Sequence, residues 1–238
     1  MLEIIYQDPY LVAINKPHGL LVHRSSIAAD AEEFALQMVR DQIGKTVYPV
    51  HRLDRKTSGI LVFALNSRMA AKLKTTFEDA GTIKTYTAIV RGYFPDQIDV
   101  DYALTNDRGK TQDAITSFKT LKRTELPIPF GKFETSRYSL IEAYPKTGRM
   151  HQIRKHLNHL RHPIIGDRPH GCNKQNKLFK ERWNMNTLLL HAIQLEIIHP
   201  VTEESLVLKA KLSDRFEEMI KTLEFKFLPT FDKHHVPT

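Results

Sequence analysis

The chain has 238 residues, of which 41% are hydrophobic and 26% are charged, and its formal net charge is +8. This length and apolar content can fill a folded core, which excludes an intrinsically disordered chain, and a single cysteine, Cys172, excludes a disulfide scaffold. The longest apolar runs are too short to cross a bilayer, and the N-terminus lacks the basic region of a secretion signal. We therefore expect a cytoplasmic protein without a membrane segment.

The first half of the chain is predicted to contain short strands and two helices. In chain order, the predicted elements are strands at Glu3–Gln7 and Leu11–Lys16, a helix at 31–43, a strand at 60–65, a helix at 67–80 and a strand at 83–90. Asp30 is the expected N-cap of the first helix, with Glu33 completing a capping box, and Gly81 is the expected stop of the second. The continuous apolar run at 60–65 indicates a buried strand.

Strands also dominate the second half. The predicted elements are strands at 113–121 and 133–143, a helix at 151–160, a hairpin of strands at 188–198 and 205–210, and a helix at 214–223. Strands outnumber helices and do not alternate strictly with them, which favours an α+β class with a large mixed sheet. No linker or repeat interrupts the chain, so one compact domain is expected.

The positive charge is concentrated at residues 146–182. This segment holds ten Lys or Arg residues and two acids, Asp167 and Glu181, whereas the other 201 residues carry 25 charges of each sign. A local basic field beside a neutral body suits a polyanionic ligand, because phosphate neutralisation releases counterions. A solvated basic face without a ligand is the alternative that a charge run alone leaves open.

An acid surrounded by cations lies at residues 51–59, where the sequence is HRLDRKTSG. Asp54 follows Arg52 closely and directly precedes two more cations, and nearby cations favour the ionised carboxylate. A structural salt bridge is one interpretation of such an acid. A nucleophilic carboxylate in a basic cleft is the other.

Five short motifs follow one another between residues 16 and 192. They are KPHG with His23 four residues on, HRLDRKTSG at 51–59, KTYTAIVRG at 84–92, GRMHQIRKHL at 148–157 and LLHA at 189–192. Each alone is a weak pattern, but all five in this order resemble the RluA family of pseudouridine synthases.

This resemblance implies the architecture and the substrate. The fold would be α+β, a single pseudouridine synthase catalytic domain over residues 1–238 with a large mixed, mostly antiparallel β-sheet, flanked by helices and loops and holding a central cleft. No appended RNA-binding module is expected, because the first predicted strand begins at residue 3. A finer resemblance to members that act on tRNA, carried by MLEIIYQD and by residues 20–25, 39–44 and 156–171, implies uridine 65 of tRNA as the target. Residues 106–123 and 173–185 are then interpreted as RNA-facing loops.

The resemblance also assigns three catalytic residues. Asp54 resembles the nucleophile that is needed to detach uracil from C1′ and re-attach it through C5. Arg154 resembles the arginine that pairs with this aspartate, although the two lie 100 positions apart in the chain. Tyr86 resembles the aromatic residue that packs against the target base, whereas a core tyrosine is the alternative without the motif.

Further residues are predicted to bind the substrate. Arg52 resembles the arginine that fills the gap in the RNA stack after the uridine has flipped out, since chemistry on a base requires its extrusion. Leu189 or Leu190 is expected to form the apolar floor of the pocket. Arg149, His151 and Gln152, which belong to the GRMHQIRKHL motif, complete the predicted substrate-binding set.

No cofactor and no metal are expected. The isomerisation involves no redox change and no transfer to a second molecule, and neither GxGxxG nor GxxxxGK[ST] occurs in the chain. Histidines recur at 151, 156, 159 and 162, but a zinc site would lack its usual ligands without a second cysteine or an HExxH motif.

Three alternatives remain open beside a monomeric tRNA-modifying isomerase. The same chemistry could act on ribosomal RNA, because the catalytic motifs do not name the substrate. A catalytically idle RNA-binding protein could keep the fold, although the complete set of Asp54, Arg154 and Tyr86 argues against it. A zinc-dependent base deaminase also flips bases, but its HxE and PCxxC motifs are absent.

Overall fold

A computed structural model describes residues 1–23, 32–79 and 81–227 of the chain. Its strands are β1 (Glu3–Gln7), β2 (Leu11–Lys16), β3 (Tyr48–Pro49), β4 (Ser58–Ala64), β5 (Ile83–Arg91), β6 (Gln97–Asp101), β7 (Leu104–Thr105), β8 (Thr111–Gln112), β9 (Ile115–Leu126), β10 (Ser136–Pro145), β11 (Leu190–Ile198), β12 (Ser205–Lys209) and β13 (Lys226–Phe227). Its helices are α1 (Ala35–Ile43), α2 (Ser67–Glu78), α3 (Gln152–His159), α4 (Asn173–Trp183) and α5 (Asp214–Thr222). None of the helices in these described ranges is long and apolar enough to cross a membrane.

One large sheet organises the molecule. Eleven strands join it, with the order β1-β2-β4-β11-β5-β10-β9-β13 along the main path and β3, β6 and β12 paired at its sides. Neighbours pair antiparallel except for β4 and β11, which run parallel, with His191 opposite Ser58 and Ala192 opposite Gly59. The predicted large mixed, mostly antiparallel sheet is therefore confirmed.

Strand β4 is buried on both faces, as its apolar run predicted. On one face, Ile60 and Val62 pack with residues of α2. On the other face, Leu61 and Phe63 pack with residues of β2 and α1. Because successive side chains of a strand point to opposite faces, a strand between two helical layers needs an uninterrupted apolar sequence. The HRLD segment thus leads directly into the most enclosed strand of the fold.

Most predicted elements are found, but the start of the first helix was wrong. Helix α1 begins at Ala35, and Phe34 before it is extended, with φ of −136°. The backbone N–H groups of Ala35 and Leu36 donate to the carbonyls of Leu21 and Val22. These two backbone carbonyls therefore cap the start of the helix. The proposed cap Asp30 lies outside the described residues.

The segment 173–185 was predicted to be a loop and is instead mostly helical. Helix α4 buries Gln175 and Phe179 and exposes a lysine-rich face. The Phe179 ring packs edge-on against Tyr138 and Trp183. Such a narrow apolar stripe gives a weak periodic signal, which is why the sequence pattern did not reveal the helix. Most of the other predicted loop, 106–123, belongs to the β7–β8 hairpin and to β9.

Replacement of Gly59 by alanine should destabilise the fold strongly. Gly59 has φ of +109°, and an added Cβ would lie 2.2 Å from the Ala192 carbonyl oxygen of the neighbouring strand. The backbone strain and the overlap between β4 and β11 together should cost about 3 kcal/mol or more in the free energy of unfolding. Chemical denaturation of Gly59→Ala measures this, with Gly81→Ala, which meets open space, as the matched control. Equal stability of the two variants would contradict the close approach of these strands.

Candidate active site

The predicted site residues meet in one cleft of about 680 Å³. Its lining includes residues 50–54, which precede β4, residues 145–154, which lead into α3, two residues of β5 and one residue of β11. The lining contains eight of the nine predicted site residues, namely Arg52, Asp54, Tyr86, Arg149, His151, Gln152, Arg154 and Leu190. Leu189 is buried in the core and is absent from this lining, so Leu190 is the leucine that contributes to the floor of the cleft.

The loop that carries Asp54 is held from below by a buried lysine. Lys16 is fully buried, and its Nζ donates to the backbone carbonyls of Pro17, Leu20 and Arg55 at 3.0, 2.9 and 3.2 Å. Burial lowers the pKa of Lys16 to about 7, although the charge of Asp54 opposes this shift. The KPHG motif therefore connects the N-terminal strands to the loop that carries Asp54, a role that the sequence pattern did not reveal.

A second anchor fixes the beginning of the same loop. His51 accepts a hydrogen bond at Nε2 from the backbone N–H of Val62, at 2.9 Å, and its ring stacks on Phe77. Burial lowers the pKa of His51 to about 3, with a smaller contribution from the charge of Lys84. A neutral imidazole is what this geometry requires, because the accepting nitrogen cannot carry a proton. His51 thus holds the loop and leaves Asp54 free to face the cleft.

Arg154 connects Asp54 to a second acid. Its Nη1 donates to Asp54 Oδ2 at 2.9 Å, which confirms that the fold brings together residues 100 positions apart. Its Nε and Nη2 donate to the two carboxylate oxygens of Asp167, at 2.7 and 2.9 Å. The planar guanidinium therefore uses a paired set of donors on Asp167 and a third donor on Asp54.

Asp167 is a site residue that sequence reasoning missed. Its side chain is 1% exposed, whereas that of Asp54 is 20% exposed and faces the cleft. Burial alone would raise the pKa of Asp167, but the hydrogen bonds and charge of Arg154 outweigh it and lower the pKa. Burial likewise opposes ionisation of Arg154, and Asp167, followed by Asp54, raises its pKa overall. The sequence did carry a signal for Asp167, because it is one of only two acidic residues in the basic segment 146–182.

The backbone around Asp167 is fixed by helix α4. Asn176 donates from Nδ2 to the Asp167 carbonyl at 2.7 Å and accepts at Oδ1 from the Gly166 N–H at 2.9 Å. An added Cβ on Gly166 would lie 1.8 Å from the Thr187 carbonyl oxygen, so this turn requires glycine. Asp167 is thereby positioned by its backbone as well as by its ion pair.

His151 lies beside Asp54 and has an unusual backbone conformation. It has φ of +56° at the N-terminal boundary of α3, and its Nε2 lies 3.7 Å from Asp54 Oδ2. Its Nδ1 shares a 2.8 Å hydrogen bond with His170 Nε2. Burial lowers the pKa of His151, and although Asp54 opposes this, Arg154 and His170 add to it. The histidine therefore contributes a polar, neutral wall to the cleft.

Tyr86 lies on β5 with its side chain in the cleft. It is half-buried, and its hydroxyl makes no hydrogen bond to any residue that the structure describes. Burial raises the pKa of Tyr86 well above its usual range, and the charge of Asp54 raises it further. The phenol thus stays protonated, with an apolar ring and a hydroxyl available to a ligand.

Two residues predicted to bind substrate have structural partners. The buried Gln152 accepts from the Thr147 hydroxyl and the Arg149 N–H, and donates to the Ile115 carbonyl and the Thr116 hydroxyl. All four hydrogen-bonding positions of its amide are therefore used within the protein. Arg149 donates from Nε to the Asp113 carbonyl at 2.9 Å, and it also belongs to the cleft lining. Arg52 is exposed at the rim.

The clustered histidines do not converge on a common point. His156 bonds to the Thr116 hydroxyl and the Tyr102 carbonyl, His162 to the Arg91 carbonyl, and His159 stacks on Tyr102. Within residues 1–23, 32–79 and 81–227, no group of three or more His, Cys, Asp or Glu side chains is arranged to hold a metal ion. The expected absence of a metal stays a prediction.

Comparisons with known proteins agree with this geometry. The family described as RNA pseudouridylate synthase matches residues 10–159. The chain is 47% identical over 235 residues to tRNA pseudouridine synthase C of Vibrio parahaemolyticus, covering 94% of this chain and 96% of that protein. It is 45% identical over 231 residues to the protein of the same name from Salmonella typhi, covering 92% and 89% of the two chains.

Solved structures share the fold. Human RNA pseudouridylate synthase domain containing 4 superposes with a TM-score of 0.72 at 28% identity, over 94% of each chain. Human RNA pseudouridylate synthase domain containing 1, at 21% identity, gives a TM-score of 0.70 over 96% of this chain and 97% of that one, which supports the fold alone. The chain therefore belongs to the RNA pseudouridylate synthase family, in the RluA-type group that its five motifs predicted.

Proposed function

We propose that this protein converts a specific uridine of tRNA, uridine 65, to pseudouridine. The observation that carries the proposal is the placement of Asp54. Its carboxylate is partly exposed and is held by Arg154 inside a cleft of basic and aromatic residues. The tRNA substrate follows from relatives that are named tRNA pseudouridine synthase C and match almost the whole chain. Ribosomal RNA is the alternative substrate, and no observation favours it.

In the proposed reaction the target uridine leaves the RNA stack and enters the cleft. The bond between N1 of uracil and C1′ of ribose breaks, a bond between C5 and C1′ forms, and the proton on C5 is lost while N1 gains one, so atoms and charge balance. The Asp54 carboxylate assists this exchange by attack on the base, by attack on the sugar or by assisting proton removal, and each route requires the ionised form. Because the reaction is an isomerisation, it requires no external oxidant or cofactor.

The neighbouring residues have distinct proposed roles. Arg154 fixes the rotamer of Asp54 through the 2.9 Å hydrogen bond, and Asp167 fixes Arg154 in turn. Tyr86 and Leu190 pack against the flipped uracil. This apolar contact replaces the base stacking that the uracil loses when it leaves the RNA stack. Arg52, exposed at the rim, occupies the gap left in the RNA stack.

Three further properties accompany this proposal. An enzyme that acts on tRNA is expected in the cytoplasm, where tRNA is found. A monomer without a metal is proposed as the active species, because the residues with proposed catalytic roles, Asp54, Arg154 and Tyr86, already meet in a single cleft. The basic segment 146–182, which includes the lysine face of α4, is the proposed contact to the tRNA backbone.

The first prediction is that Asp54→Asn abolishes isomerisation and preserves tRNA binding. Asparagine has nearly the same size and can still accept from Arg154, but it cannot act as a nucleophile. The change also removes a negative charge from a site that faces phosphates, so affinity has no reason to fall. Pseudouridine is measured by release of tritium from C5-labelled tRNA, and affinity by filter binding. Pseudouridine formation above a trace by a folded variant would refute the role of Asp54.

A second prediction concerns the charge that holds Asp54. Arg154→Met should abolish activity and lower the free energy of unfolding by about 3 kcal/mol or more, because Asp167 is left buried without its cation. Arg154→Lys keeps the charge and serves as the folded control. A lysine ammonium cannot reproduce the paired donors on Asp167 together with the donor on Asp54, so turnover should fall about 100-fold or more. Full activity of either variant at neutral pH would rule out the pairing.

A third prediction tests tRNA binding separately from catalysis. If the basic segment contacts the RNA backbone, log affinity should fall linearly with log salt, at roughly 0.7 to 0.9 per phosphate neutralised. Neutralising Lys174 and Lys177 on the exposed face of α4 should reduce this slope by about one or two, similarly for any tRNA. Arg52→Ala is the contrasting variant, which should slow turnover with little change in slope. A wild-type slope in the double lysine variant would make that face a solvated surface.

A further inference from the structure

A second cavity, of about 370 Å³, lies beside the active cleft. It is formed by residues 102–105, which follow β6, and by side chains of α3, including Lys155 and His159. His170 lines this cavity, whereas His151, which bonds to His170 at 2.8 Å, lines the active cleft. The two imidazoles therefore form a partition between the cavities, and His151 is also the residue that lies 3.7 Å from Asp54.

The most distinctive wall of this cavity is an exposed aromatic ring on a fixed backbone. Tyr102 is 44% exposed, and its ring stacks nearly parallel on His159, with centroids 3.8 Å apart and planes 19° apart. Its N–H donates to the Ala114 carbonyl at 3.1 Å, and its carbonyl accepts from His156 Nε2 at 3.0 Å. Both backbone groups are thus hydrogen-bonded, and the ring is held at the surface. Binding of a ligand to this ring would therefore cost little conformational entropy.

The side chains that line this cavity suit an anionic chain. Lys155 projects from α3 along the cavity and donates from Nζ to the Thr105 carbonyl at 3.1 Å. No acid belongs to the described residues that line this cavity. Nucleic-acid sites commonly combine an aromatic ring, on which a base stacks, with a cation near the backbone phosphate.

We propose that this cavity is a subsite for a nucleotide next to the target uridine. Its base stacks on Tyr102, and its phosphate lies near Lys155, while the uridine itself enters the active cleft on the other side of the His151–His170 partition. This inference rests on the proposed RNA-modifying function, and it assigns the second cavity to substrate positioning. The RNA would thus bind with two successive nucleotides on the two sides of one histidine pair.

The test combines protein variants with RNA that lacks single bases. Tyr102→Ala should weaken binding of an unmodified tRNA transcript about tenfold and lower kcat/KM similarly, whereas Tyr102→Phe should retain both, because stacking needs the ring and not the hydroxyl. Tyr93→Ala is the matched control, since Tyr93 is 43% exposed and contacts Glu125 and Arg137 outside both cavities. Thermal unfolding of each variant shows that it is folded.

Transcripts with an abasic residue on either side of the target uridine complete a double-mutant cycle, in which the protein variant and the RNA change are tested separately and together. If the neighbouring base stacks on Tyr102, one of these transcripts should bind wild type about tenfold more weakly, and Tyr102→Ala should have no further effect on it. The proposal is overturned if Tyr102→Ala behaves like Tyr93→Ala. It is also overturned if the effects of Tyr102→Ala and of both abasic residues are independent.

Failure of the proposed function can be distinguished from failure of the subsite. If wild type forms no pseudouridine in any transcript, the function fails, and the binding cycle still decides on Tyr102. If wild type forms pseudouridine and the cycle shows no coupling, the function stands and the subsite is refuted.

Discussion

A single buried guanidinium, that of Arg154, binds two acids at the same time, Asp54 in the active cleft and Asp167 buried behind it. Asp167 takes two of its donors and Asp54 takes a third, so one cation is balanced by a fully buried acid while it orients a second acid that faces the cleft. A buried charge without a partner would be costly, and Asp167 removes most of that cost for Arg154. The formal charges of the three residues sum to one negative charge, and Asp54 is the acid that faces the cleft.

The rest of the site is built so that this contact keeps its geometry. The Asp54 loop is fixed by the buried Lys16 from one side and by His51 from the other, and it continues into β4, which is buried on both faces. The parallel pairing of β4 with β11 brings the LLHA motif to the same edge as the loop. These supports hold the Asp54 carboxylate at one position in the polar cleft, and a reacting group requires such fixed positioning.

Helix α4 links the proposed RNA-contacting surface to this framework. Its exposed lysines belong to the segment that holds the positive charge of the chain, and its Asn176 fixes the backbone of Gly166 and Asp167. The proposed grip on the tRNA backbone and the support of Asp167 therefore lie on one element. The Tyr102 cavity lies on the other side of the His151–His170 pair from the active cleft.

The sequence by itself determined the chemistry and much of the local structure. Alternating or continuous apolar runs predicted β1, β2 and β4, because such patterns are local in the chain. The family resemblance carried by the five motifs grouped Asp54, Tyr86 and Arg154 in one site, and the fold brings the three residues together in one cleft. Tertiary structure decided the start of α1 and the helical state of α4. In α1 the capping groups are backbone carbonyls from a distant segment, and in α4 one narrow stripe is stabilised by packing against β10. It also decided the role of Asp167, since an ion pair between helix α3 and the turn that holds Asp167 depends on how the fold places these two elements, and no local pattern records that distance.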